Sequence, residues 1–402
     1  MHDHGLVSTN AELHAVLSAI AGTPWIAIDT EFMREKTYFP QLCLIQIATP
    51  DHIACIDPLA VPDMAPLYGL LHDPSVVKVF HAAGQDLEVL YLVSNKVPAP
   101  VFDTQVAASL LGHGEQIGYA NLVQTVLQHP LDKTQTRTDW SQRPLRPEQL
   151  KYARDDVRYL VPLYEQLKQE LGALGRLRWM HPEMEALTQP ESYTPKPGDA
   201  WRRVSGHKRL KPQELAVLRE LAAWRETEAR ALDRPRRWVI GDDMLVLIAR
   251  SRPADLAALR KLRGPPKAIS DSQAQKILQA VARGIELPRE DWPVLPSRLR
   301  PVSPSEEVII DVCMALLREV RRRQQISPEA VASRKDVIAF MHGDTEASLG
   351  RGWREQVAGA ELGRWLASRT ALRCQGQALE IMDPGTLAMI DPPDGAPAEE
   401  RS

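Results

Sequence analysis

Over its first 170 residues the chain alternates short apolar runs with stretches of helical period. Trp25-Ile26-Ala27-Ile28 ends at Asp29, and Leu42 to Ala48, His52 to Ile56 and Val76 to Phe80 read as three further strands. Between and after them, Asp63–Leu71, Gln85–Val93, Thr104–Leu111, Ala120–Leu127 and Pro147–Gly172 have helical spacing. The last is expected as one uninterrupted helix with Pro147 in its first turn. Strands interleaved with helices predict an α/β layer fold, and the short turns between the early strands predict a mixed sheet. Residues 181–209 carry Pro182, Pro190, Pro195, Pro197 and Gly198 and read as a linker. From Lys211 the period is purely helical: Pro212–Ala231, Val239–Ala249, Pro253–Leu262 and Ser270–Arg283. A second proline-rich joint, 286–305, precedes another helical block, 306–383, and a tail rich in Pro, Asp, Glu and Ala at 384–402 is expected to be disordered.

Composition narrows the class. At 44% hydrophobic and 25% charged residues, the 402-residue chain has the balance of a globular protein of two or three domains. No apolar run approaches the ~18–20 residues of a membrane span, and the first residues lack a basic stretch followed by an apolar one, so a cytoplasmic location is expected. Cys43, Cys55, Cys313 and Cys374 show no paired spacing, which points away from disulfides and zinc. The net charge of −3 hides a gradient: residues 1–180 carry −6, 181–300 carry +7 and 301–402 carry −4. An acidic first part beside a basic middle suits an acid-lined metal site joined to a polyanion grip, or a solvated arginine-rich helical surface.

The chemistry concentrates in five residues. Asp29 and Glu31 alternate along a strand and so share one face of the sheet. Asp86 stands at the start of a helix, where an acid also suits the helix dipole. Tyr152 and Asp156 are four apart on one helix face, with Asp155 an alternative neighbour of Tyr152. Carboxylates gathered at one point repel unless cations lie between them. Two divalent ions about 3.5–4 Å apart activate water and stabilise a leaving oxygen in phosphodiester hydrolysis, and hard carboxylate oxygens suit Mg²⁺ or Mn²⁺.

Longer stretches around these residues resemble the ribonuclease D family, in the tyrosine subclass of DEDD exonucleases. Ile26-Ala27-Ile28-Asp29-Thr30-Glu31-Phe32 is similar to the first exonuclease motif and Tyr38 to Ala48 to the strand that follows it. Val79 to Leu87 resembles the second motif; Asp139 to Leu145 leads into the third, Tyr152-Ala153-Arg154-Asp155-Asp156-Val157, which selects Asp156 over Asp155. The two helical blocks resemble HRDC modules, the second less clearly. The resemblance implies a ribonuclease H-like exonuclease domain at 1–180, a linker at 181–209, a first HRDC domain at 210–285, a linker at 286–305, an HRDC-like domain at 306–383 and the tail. It implies 3′→5′ hydrolysis of RNA releasing nucleoside 5′-monophosphates, with 3′ maturation of transfer RNA precursors; a monomer is the default expectation, since the sequence does not fix the oligomeric state. By the same resemblance Asp29, Glu31 and Asp156 hold one metal, Asp29 bridges to a second, Asp86 supports that second ion, and Tyr152 orients the attacking water. A DNA exonuclease on the same fold and an RNA-binding scaffold with a silent nuclease domain are the alternatives.

For RNA contacts, Phe32 is placed near the terminal base or in the core, Trp140 as a stacking or a packing residue, and Lys133, Arg137, Arg143 and Arg154 near the backbone. Asp103 is expected as a helix cap before Thr104, with contact to the site as the alternative. Arg234, Arg236, Arg237, Arg260, Lys261, Arg263 and Lys267 form a candidate auxiliary RNA surface, or a solvated face.

Overall fold

A computed structural model describes residues 1–131, 138–262, 269–295, 302–376 and 378–382. Lys133, Arg137, Arg263, Lys267 and the tail lie outside the described residues. The described residues fall into two compact units, neither continuous in sequence.

The first unit comprises 1–103, 131–162 and 184–298. Its sheet uses β1 (His2–Val7), β2 (Trp25–Met33), β3 (Gln41–Ala48), β4 (His52–Ile56), β5 (Val77–Phe80) and β6 (Val101–Asp103) in the order β1-β4-β3-β2-β5-β6. The β2–β3 and β3–β4 pairs are antiparallel and the other three are parallel, so the sheet is mixed. Two of these strands, β1 and β6, escaped the reading of hydrophobicity. His2-Asp3-His4 is too polar to read as an edge strand, and β6 is only three residues long.

Alternation along β2 sends its residues to opposite sides. Ile26 and Ile28 enter one core with Ile45, Ile47, Phe80, Leu87 and Leu90. That side is covered by the helices α1 (Asn10–Ala19), α2 (Ala65–Leu71) and α3 (Gly84–Ser94). The other side holds a smaller core of Cys43, Leu44, Cys55, Trp140, Leu145 and Ala153. Beyond β6 the chain forms α4 (Thr104–Leu110), α5 (Tyr119–Leu127), α6 (Pro147–Arg158) and α7 (Leu160–Ala173). The long helix expected over 147–172 is therefore two. It breaks at Tyr159, because Pro162 has no N–H to donate and its ring opposes the Arg158 carbonyl.

The supposed linker is structured. After α8 (Met180–Leu187), three 3₁₀ turns occupy Pro190–Ser192, Pro197–Arg203 and His207–Arg209. Trp201 from this stretch is 2% exposed and packs with Val204 and Leu210 into the core of the helical module that follows. That module is built on α9 (Pro212–Ala231), with helices at Asp242–Ser251, Leu256–Lys261 and Asp271–Glu286 around it. Gly284 lets its helix close on α9, since a Cβ there would lie 2.5 Å from the Val217 backbone.

The second unit joins 104–130 and 163–183 to the C-terminal block. Arg176 donates to the carbonyls of Leu110 and Gln324, the amide of Ser327 donates to the carbonyl of Ser109, and Trp179 stacks on Trp353 at 5.0 Å. The final block was expected to be helical throughout; instead Ala371–Gln375 and Ala378–Met382 pair as an antiparallel hairpin. Among the described residues no helix is long and apolar enough to cross a membrane.

Candidate active site

Three of the five expected residues meet on the side of the sheet covered by α6. Asp29 and Glu31 project from β2, and α6 brings Asp156 over them until the three carboxylates offer oxygens all within 4.8 Å of one another. Tyr152, one turn before Asp156, donates its hydroxyl hydrogen bond to that carboxylate. The fourth acid arrives from the opposite side. Asp86, in the first turn of α3, accepts a 2.5 Å hydrogen bond from Thr30 Oγ1. Thr30 sits between Asp29 and Glu31 but points the other way, so it links the helix that carries Asp86 to the strand that carries the other two.

The approach to Asp86 is held under strain. Ala82 in the β5–α3 turn has φ +59°, a left-handed conformation costing a residue with a side chain roughly 1–3 kcal/mol. The two carboxylate oxygens of Asp103, at the end of β6, accept from the amides of Ala82 (3.0 Å) and Ala83 (2.9 Å). Asp103 thus fixes the turn that aims Asp86, a role the cap reading did not contain. Thr30 was also missed; its one available signal was a buried hydroxyl within an otherwise acidic motif.

α6 is anchored as carefully. Pro147 opens it, and Gln149 Oε1 accepts from the Arg146 amide at 2.9 Å. Ala153 and Val157 are fully buried against the sheet. Two expected RNA contacts belong to this anchorage instead. The guanidinium of Arg143 donates to both oxygens of Asp57 and to the carbonyls of Cys43, Trp140 and Gln142, which leaves no nitrogen for a phosphate. Trp140 is 3% exposed, packed 6.2 Å from the Tyr152 ring, and cannot stack on a base. Both hold the segment that supports Tyr152. Arg154 bonds Asp3 and the Leu150 carbonyl, and Phe32 packs on the larger core. In the helical module, Arg236 pairs with Glu226 and Arg260 with Asp271, whereas Arg237 is largely exposed and reaches Asp242 only at 3.9 Å.

The electrostatics single out the acids. Burial, followed by repulsion from Asp86, Asp156 and Glu31, holds Asp29 well above the usual carboxylate range. Burial and then Asp156 and Asp86 push Glu31 up to about 9. Asp156 rises to about 8 by burial and the neighbouring Asp155, against the Tyr152 hydrogen bond. Asp86 rises to about 7, chiefly by burial, although Thr30 pulls it down. Burial and these carboxylates also raise Tyr152, so the phenol keeps its proton at neutral pH and acts as a donor. Basic residues of α6 do not relieve the acids: Lys151 and Arg158 pair with Asp155, and Arg154 with Asp3. A set of hard oxygen donors, part-buried and lacking a cationic partner among the described residues, fits divalent metal ions.

Comparison with known proteins agrees. The 3′-5′ exonuclease family profile matches residues 5–172, and the HRDC domain profile matches 214–281. Ribonuclease D of Bartonella henselae is 38% identical over 368 residues, 90% of each chain, and that of Nitrobacter hamburgensis 40% identical over 360 residues, 88% of this chain and 93% of its own. The crystal structure of Escherichia coli RNase D, "an exoribonuclease involved in structured RNA processing", superposes with a TM-score of 0.77 at 32% identity, over 90% of this chain and 98% of that one. The catalytic core of RRP6 from Trypanosoma brucei gives 0.54 at 27% identity, over 70% of this chain and 79% of that one. The chain belongs to the ribonuclease D family and is a 3′→5′ exoribonuclease with an exonuclease fold on a mixed sheet and an HRDC domain after it.

Proposed function

We propose that this enzyme matures transfer RNA precursors, removing 3′ extensions one nucleoside 5′-monophosphate at a time, with two divalent ions at the four carboxylates. The observation that carries this reading is the convergence of Asp29, Glu31 and Asp156 within 4.8 Å, with Asp86 brought to the same strand from the opposite side. Asp29, Glu31 and Asp156 would hold one Mg²⁺ or Mn²⁺, and Asp86 together with Asp29 the other. Such ions supply Lewis acidity and neutralise phosphate charge, which the acids alone would repel.

The remaining work falls to the protein. Asp103 and Thr30 fix Asp86, while Arg143 and Trp140 fix the ground on which Tyr152 stands. Tyr152, protonated, orients the attacking water or a phosphate oxygen by hydrogen bond and does not remove a proton from it. Residues 306–383 are read as a second HRDC-type module that ends in the hairpin, and the enzyme as a cytoplasmic monomer.

A transfer RNA precursor with a 3′ extension, labelled at its 5′ end, tests the reading. Stepwise shortening that needs Mg²⁺ or Mn²⁺, stops in chelator and disappears in Asp29→Ala is the expected result. Equal rates on an unrelated RNA would remove the precursor assignment. Activity undiminished in Asp29→Ala would remove the site.

A further inference from the structure

Two cavities in the first unit share one arginine. The first, about 480 Å³, opens beside the catalytic strand and helix: Gly84, two residues before Asp86, lines it, as does Arg34, three after Glu31. Arg203 from the 3₁₀ turn Pro197–Arg203 and Arg230 from α9 also line it, with Phe39, Glu88 and Tyr91. The second, about 750 Å³, continues along the 3₁₀ segment and is lined by Arg203, Lys208, Arg209 and Arg250, with Asp243 the acidic residue among them.

The unpaired cations here contrast with several paired arginines on the module, although Arg202, Arg34 and Arg236 in the cavities are themselves paired. Arg219, Arg225, Arg252, Arg260 and Arg283 each bond a carboxylate or a side-chain amide. Arg203, Lys208, Arg209 and Arg250 have no side-chain hydrogen bond or ion pair among the described residues, although Arg203 acts on Glu226 through its charge. Arg230 stands 5.9 Å over the Phe39 ring and likewise has no hydrogen-bond partner there. Glu88, the acid in the first cavity, is already neutralised by Arg34. What remains is cationic, and it lies on a rigid frame. The Tyr38 hydroxyl bonds Glu226, Arg236 pairs with Glu226, and Asp233 accepts from the amides of Tyr38 and Phe39, both at 3.0 Å. Phe39 and Tyr91 are partly exposed in the first cavity and offer faces to bases.

We propose that these two cavities, joined at Arg203, form a backbone track that holds single-stranded RNA upstream of the 3′ end undergoing hydrolysis. The inference rests on the exoribonuclease reading and adds the path of the strand. Its core is the pair of 3₁₀ turns Pro197–Arg203 and His207–Arg209, which carry Arg203, Lys208 and Arg209 on the stretch of chain before the HRDC helices. Guanidinium and ammonium groups without internal partners bind phosphates without regard to sequence, which suits an enzyme that must accept every nucleotide passing through.

The test uses the full chain. In chelator, anisotropy reports binding of a labelled single-stranded RNA of about 16 nucleotides, near the upper end of common site sizes. Arg203→Ala and the double variant Lys208→Ala/Arg209→Ala are compared with Arg283→Ala, a surface arginine that is already paired with Glu220. About a tenfold loss is expected for the track variants and none for the control. Losing one phosphate contact in Arg203→Ala and two in the double variant should lower the slope of log affinity against log salt by ~0.7 and ~1.4, at about 0.7 per contact on a single strand. With Mn²⁺ present, the rise in KM should grow with strand length and be smallest on a dinucleotide. Unchanged affinity in both track variants, or an equal loss in Arg283→Ala, overturns the proposal. The binding arm stands whether or not anything is hydrolysed, whereas failure of the wild type to hydrolyse RNA with metal would strike the underlying reading alone.

Discussion

Glu31 and Glu226 are the same residue type, both withdrawn from water within one compact unit, and they behave in opposite ways. Burial pushes both up. Glu31, with only other carboxylates near it, goes to about 9, whereas Glu226 is brought below its ordinary value by bonds from Arg236 and Tyr38. The difference separates an acid that holds the fold together from one that waits for a cation. A buried carboxylate with its own arginine needs nothing further. A group of them without one keeps its protons, as the raised values show, or takes up a cation in their place.

Removing an acid from each place tests this contrast most strongly. Asp29→Asn should lower the metal-dependent rate by about 10³-fold, equivalent to ~4 kcal/mol of transition-state stabilisation. It should raise the melting temperature in chelator, because one repelling group has gone. Glu226→Ala should do the reverse. With Arg236 left without its partner, stability falls by about 3 kcal/mol, the lower end for breaking a buried pair, since Arg236 is 32% exposed. Rate and thermal denaturation measured on both variants decide it; a loss of stability in the Asp29→Asn variant would break the comparison.

The two places should also respond oppositely to pH. Glu31, Asp156 and Asp86, at about 9, 8 and 7 in the folded metal-free protein, keep protons that the unfolded chain releases near pH 4. Between those limits the folded state binds more protons, so this cluster's contribution to stability falls as pH rises. Glu226, depressed by Arg236, contributes stability that is present above the ordinary glutamate value and lost as pH falls through its folded value. In chelator, the wild type should therefore lose melting temperature relative to Glu31→Gln between pH 6 and 9, and saturating Mn²⁺ should abolish the difference. Parallel curves for the two proteins in chelator would count against the raised acids.

How much of this can be read along the chain follows the same division. The acids and Tyr152 are legible because their spacing, two on a strand and four on a helix, is a local matter fixed by backbone period. The mixed sheet is legible from short turns between apolar runs. Partnerships across the fold are not. Nothing in the chain around Arg143 says that its guanidinium will be consumed by Asp57, 86 residues away, or that Trp140 will be sealed beneath Tyr152. The proline-rich segment 181–209 looks like a tether by composition, yet Trp201 buries itself in the module core. Apolar content there was a better guide than proline count. The break at Tyr159 could have been anticipated from Pro162, had its missing N–H been weighed against the helical period.

The smallest expected effect lies with the residues that aim Asp86 without joining the acids. Asp103→Asn keeps the shape of the carboxylate but replaces one of its two acceptor oxygens with a donor, opposite an amide that also donates. The left-handed turn at Ala82 then loses half its support. Thr30→Val deletes the hydroxyl that holds Asp86 Oδ1 and little else. Each should lower activity by about 10-fold, the low end for groups that orient metal ligands. In Thr30→Val the loss should take the form of weaker metal binding: a higher Mn²⁺ concentration for half-maximal rate, and a maximal rate partly restored at saturation. A merely structural defect would lower the melting temperature without moving that concentration. If Thr30→Val needs no more Mn²⁺ than the wild type, Asp86 is aimed by α3 and the Ala82 turn alone, and the hydroxyl between the two acidic residues of β2 has no part in the site.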